Sequence, residues 1–81
     1  MYSLLPLSEV VKYEEEAARL KVSEVARSSR GFLTAYKRYG TNLPEEWRVK
    51  RKAFIARHLA QYRKNPTPRR RLALIMWAYR P

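Results

Sequence analysis

Between Pro44 and Lys64 the apolar positions recur at helical spacing. Trp47, Phe54, Ile55, His58, Leu59 and Tyr62 stand at i, i+7, i+8, i+11, i+12 and i+15, which is one face of a 3.6-residue period. Apolar and polar residues do not alternate here, so no strand pattern fits. Pro44 suits the first helical position, where a missing N–H costs nothing. Glu45 and Glu46 follow in the first turn and Arg63 and Lys64 close the last, each sign matching the helix dipole at its end. Pro66 then stops the pattern. The spacing predicts a helix over 44–64.

Upstream, residues 1–7 read as a short extended lead, with Leu4, Leu5 and Leu7 set to pack on the core. Ser8 is a fair N-cap for a helix over 8–20, on which Val11, Ala18, Val22 and Val25 share a face. A second pattern covers 22–39, with Val22, Val25, Ser29, Phe32, Leu33 and Tyr36 in phase. The two could form one rod, or break near Lys21-Val22-Ser23 or at Ser28-Ser29 before Gly31; a small chain gains more core by folding back, so a break is expected. Ser29 is an acceptable N-cap, and Gly40 is a natural stop after Lys37 and Arg38. Downstream, Asn65-Pro66-Thr67-Pro68 is a turn, with Thr67 able to cap and Pro68 able to open a last helix over 68–79. Its residues 72–79 are apolar almost all round. That predicts either the central rod of the core or a subunit interface, and so a possible homodimer through 72–79. The expected fold is all-α: one domain over 1–81, a small bundle of three to four helices at 8–20, 22–39, 44–64 and 68–79.

Charge changes this picture from a generic bundle to a polarised one. The formal net charge is +11, yet residues 1–26 hold five acids against three bases, while residues 27–81 hold fifteen bases against two acids. No acid follows Glu46, and twelve of the eighteen bases are arginine, the side chain that pairs in a fork with phosphate and carboxylate. Such an imbalance calls for a polyanionic partner. The candidate nucleic-acid-binding residues are Arg48, Lys50, Arg51, Lys52, Arg57, Arg63, Lys64, Arg69, Arg70 and Arg71. Arg48, Lys52 and Arg63 flank one side of the 44–64 stripe; Lys50, Arg57 and Lys64 flank the other. Arg51 projects from the stripe itself, either snorkelling to water or reaching a ligand.

Arg69, Arg70 and Arg71 open the last helix, where positive charge opposes the dipole by about 0.3–1 kcal/mol each. Two sources of compensation are open: the carboxylates Glu14, Glu15 and Glu16 packed nearby, or a bound phosphate. The glutamate run otherwise reads as a solvated helix surface with a Glu15–Arg19 pair.

Catalytic chemistry is poorly represented. His58 is the single histidine, cysteine is absent, and Gly31 and Gly40 are the two glycines. No phosphate loop, thiolate metal site or nucleophile context follows from these, and no cofactor is implied. His58 reads as a core-edge residue. The ten aromatics fall mostly on the apolar stripes; Tyr39, beside Lys37 and Arg38, is the candidate for stacking on a nucleobase. The segment Ser23–Tyr36 resembles a helix-turn-helix in the placement of Ala26 and Gly31, a likeness of fourteen residues. The segment after it, Phe32–Tyr39, is short for a recognition helix.

The expected function is a small nucleic-acid-binding or nucleoprotein-associated module, DNA or RNA, not an enzyme. The alternative is a protein-interaction module (adaptor, inhibitor or assembly subunit) docking on an acidic protein partner. A basic helix lying on anionic lipid is a weaker third reading. No apolar run approaches twenty residues, so no membrane span is expected. The first ten residues lack a signal-peptide pattern, and the expected location is cytoplasmic.

Overall fold

A computed structural model describes residues 2–81. Among them are six α-helices and no strand: Leu7–Lys12 (α1), Glu14–Arg19 (α2), Glu24–Arg27 (α3), Phe32–Tyr39 (α4), Glu45–Lys64 (α5) and Pro68–Met76 (α6), with a 3₁₀ turn at Gly40–Asn42. The fold is the expected small all-α bundle. The α5 helix packs on α6 and α4, α6 also meets α2, and α3 folds against α4.

The first two expected helices are each divided. Helix α1 begins at Leu7, not after a Ser8 cap, because the Pro6 carbonyl accepts from Glu9 and Val10 N–H. Tyr13 interrupts the rod for one residue before α2 opens on three glutamates, the charge its dipole favours. At the end of α2, Lys21 turns left-handed (φ 56°). Val22 N–H then reaches Ala17 O at 2.8 Å and Lys21 N–H reaches Ala18 O at 3.1 Å, a Schellman stop. These breaks shift the phase of the pattern. The buried residues are Val10, Ala17, Val22 and Ala26, whereas Val11 and Val25 stay exposed.

One turn of α3 leads to Gly31, whose amide caps onto Ser28 O at 3.0 Å. Gly31, not Ser29, is the N-cap of α4. A Cβ at Gly31 would stand 2.0 Å from the Val25 carbonyl oxygen and 2.4 Å from that of Ala26, so only glycine lets α3 and α4 close this tightly. Helix α4 then buries Phe32, Leu33, Ala35 and Tyr36. Gly40, at φ 60°, ends it.

Helix α5 follows the predicted stripe, starting at Glu45 with Pro44 as N-cap. Ile55 and Leu59 are buried; Trp47, Phe54, His58 and Tyr62 are half-buried. The turn into α6 also forms as expected, Thr67 Oγ1 accepting from Arg70 N–H at 3.1 Å with Pro68 behind it.

Helix α6 ends at Met76, three residues early. Ala78 adopts φ 57°. Ala78 N–H bonds Ile75 O and Tyr79 N–H bonds Leu74 O, a second Schellman stop. Leu72, Leu74, Ile75, Met76, Trp77 and Ala78 are all buried within the single chain. Most of the 72–79 segment is therefore core of the single chain, the first of the two roles expected for it.

Arg51 corrects the largest expectation. It is only 6 % exposed. Its Nε donates to Trp77 O (2.7 Å), Nη1 to Tyr2 O (2.7 Å), and Nη2 to Ala78 O (2.8 Å) and Ser3 O (3.0 Å). It neither snorkels nor faces a ligand: its guanidinium ties the chain's start to the end of α6. The backbone turn after Met76 frees the Trp77 and Ala78 carbonyls that it needs. Leu5 N–H also bonds Ala78 O at 2.7 Å, and Tyr36 donates its hydroxyl to Leu5 O at 2.8 Å. Burial lowers the Arg51 pKa, partly offset by Tyr36 and Tyr79 nearby. An arginine nevertheless stays charged in water near neutrality.

Candidate functional site

The candidate site begins with four rings. His58 stacks on Phe54 at 3.8 Å and 13°, Phe54 on Trp77 at 4.4 Å and 17°, and Trp77 on Phe32 at 5.1 Å and 18°. Positions 54 and 58 are one helical turn apart on α5, so their side chains lie one above the other. The Schellman stop after α6 brings Trp77 beneath them. The ladder runs from fully buried Phe32 to half-buried His58.

Its outer part lines a groove of about 890 Å³ between the α2–α3 turn, α5 and α6. Val22, Ala26, Ala73 and Trp77 contribute apolar lining, and Lys21, Lys50, Arg57, Arg69 and Arg70 bring five positive charges to the same groove. Glu24 is the single acid there. Lys50 Nζ also lies 5.0 Å from the centre of the Trp47 ring, within cation–π range. Burial, and secondarily Arg57, lower the His58 pKa, favouring the neutral imidazole.

The arginines opening α6 find a compensation the sequence did not suggest. Arg69 donates to Leu20 O at 2.6 Å and Lys21 O at 3.3 Å, across the end of α2. Arg70 donates to Asn65 O at 2.8 Å, at the end of α5. Two helix C-termini, where the dipole is negative, thus accept the cations that α6 repels. The glutamates are engaged elsewhere or free: Glu14 Oε1 lies 2.7 Å from Lys37 Nζ, a contact of opposite charges without hydrogen-bond geometry. The expected Glu15–Arg19 pair is not among the ion pairs of the described residues.

Comparison with protein-family models, curated proteins and solved structures finds no match to this chain.

Of the ten basic residues singled out in the sequence, the groove gathers Lys50, Arg57, Arg69 and Arg70. Arg51 belongs to the interior, out of reach of a phosphate. Arg63 lines a separate, smaller hollow with Tyr2, Leu59, Tyr79 and Arg80. Arg48, Lys52, Lys64 and Arg71 are exposed outside both. Tyr39 is 41 % exposed with the Arg38 guanidinium 5.5 Å from its ring centre, away from the groove. Sequence reasoning missed Lys21 and the exposed end of the aromatic ladder. Lys21 reaches the groove only because of its left-handed backbone, which periodicity does not signal.

No helix among the described residues is long and apolar enough to cross a membrane.

Proposed function

We propose that this protein is a small basic helical module that binds nucleic acid through its phosphates, with the α2–α3/α5/α6 groove as the principal contact. One observation carries the reading. Among the described residues, Lys37 is the one base after residue 26 that pairs with a carboxylate. The rest of that excess of charge is buried as Arg51, turned onto backbone carbonyls, or left facing solvent. Backbone carbonyls orient a guanidinium but do not cancel its charge, so the field outside stays positive.

In this reading Lys50, Arg57, Arg69, Arg70 and Lys21 contact phosphates and fix register without reading sequence. Each phosphate neutralised releases counterions, so affinity falls steeply with salt. The test is a titration of duplex and single-stranded oligonucleotides at two salt concentrations. Binding that weakens with salt, and a Lys50→Glu/Arg57→Glu variant with a shallower salt slope, support it. Absence of binding at low salt overturns it.

The alternative, docking on an acidic protein, has one observation in its favour: the groove's lining includes Val25, a 77 % exposed valine beside the basic rim. An acidic amphipathic segment matches both features. Under that reading, purified protein binds such a peptide and ignores oligonucleotides.

A further inference from the structure

The ring ladder stops short. Phe54 and Trp77 each carry a stacked ring on either side, but His58 stacks on Phe54 alone. Among the described residues no other aromatic side chain meets it. Its ring lines the groove, with Arg57 the preceding residue and Lys50 on the same helix.

We propose that the groove seats an unpaired nucleobase stacked on His58, as the fifth ring of the ladder, so that the partner is single-stranded rather than duplex. This rests on the nucleic-acid reading above and narrows it. Three observations converge. Each ring plane of the ladder lies within 18° of the next, so His58 continues a stack of faces and is not an edge-on contact. The end lines a groove, and a base whose two faces are already stacked within a duplex has none free for it, whereas an unpaired base does. The basic side chains stand around that same groove, where phosphates on either side of an inserted base would lie. A single strand combines a charged backbone with free π-faces, and this pairing of basic and aromatic surface is what such strands recognise. The imidazole, held toward its neutral form, adds no further charge beneath the base.

The experiment measures binding of three probes at low salt by fluorescence anisotropy: a single-stranded oligonucleotide, a strand of the same length and charge with abasic sites in place of its bases, and the duplex. The intact strand should bind at least about fivefold more tightly than the abasic one, the low end of one stacked base. His58→Ala should remove that difference while leaving abasic binding unchanged. His58→Trp should keep it. Should His58→Ala fail to fold, the comparison of intact and abasic strands on the unaltered protein still decides, together with His58→Trp. Equal binding of intact and abasic strands, with the salt slope preserved, overturns the stacked base and leaves phosphate binding standing. Duplex binding as tight as single-strand binding does the same. No strand binding at low salt overturns both readings, and binding of an acidic amphipathic peptide instead assigns the groove to a protein partner.

Discussion

Arg51 Nε donates to the carbonyl of Trp77 at 2.7 Å, joining the middle of α5 to the residue just beyond α6. The same guanidinium reaches Tyr2, Ser3 and Ala78. Among the described residues no carboxylate pairs with this guanidinium, so its charge leans on carbonyl dipoles. Removing the side chain strands the buried Trp77 carbonyl, takes a partner from the part-buried Tyr2 and Ser3 carbonyls, and leaves Ala78 O with Leu5 N–H alone, at about 1–3 kcal/mol for each acceptor left unsatisfied. Arg51→Met should therefore destabilise the protein by about 3 kcal/mol or more, and Arg51→Lys by about 2, since an ammonium lacks the planar fork. Urea unfolding followed by tryptophan fluorescence measures this. An Arg51→Met midpoint matching the parent would refute the role.

Gly31 is held by a close approach, not by its own dihedral angles. A methyl group there meets the Val25 carbonyl oxygen at 2.0 Å, and backbone atoms cannot rotate away as a side chain can. Gly31→Ala should cost at least about 2 kcal/mol by overpacking and separate α3 from α4. Its amide hydrogen exchange should show protection lost first in α4; unchanged protection would contradict the contact.

Lys21 pays a conformational cost at φ 56° that glycine avoids. Lys21→Gly should stabilise the fold by about 0.5–1 kcal/mol, since relief of strain exceeds the added unfolded-state entropy. The same change removes a groove cation and should weaken oligonucleotide binding. Stability and affinity then move in opposite directions, which a general folding defect does not produce.

Arg69 and Arg71 share the first turn of α6 but not the same surroundings. Arg69 is bonded to the end of α2, whereas Arg71 is exposed with no side-chain hydrogen bond among those of the described residues. Arg69→Gln should destabilise by about 1 kcal/mol at this exposed site. Arg71→Gln should be neutral or stabilising by about 0.3–1 kcal/mol, because it relieves charge at a helix start. Thermal unfolding of the pair at low ionic strength gives the comparison. Equal losses would show that the carbonyl contacts of Arg69 do not matter.

His58 makes folding depend on pH in a defined direction. Its pKa is lowered by burial in the folded chain, so below about 6.5 the unfolded chain binds more protons. Stability from this group is complete above that value and is lost as pH falls toward the lowered folded pKa. Thermal midpoints of the parent should drop between pH 7.5 and 5.5, and His58→Phe should flatten that part of the curve. A slope unchanged in His58→Phe would place the titration elsewhere.

The sequence alone determined the long helix over 44–64, its apolar stripe, the Thr67–Pro68 start of α6, the all-α class and the excess of positive charge. Those properties are local or additive: a 3.6-residue period, a cap and a sum of charges need no knowledge of neighbours. Tertiary structure decided which cations are available. Arg51 became interior because backbone carbonyls 26 to 49 residues away converge on it, and no pattern along the chain records that meeting. The left-handed turns at Lys21, Ser23 and Ala78 reset helix phase in residues with no glycine to announce them. They turned Val25 outward, brought Trp77 under Phe54, and so built the aromatic floor of the groove from residues that periodicity assigned only to core.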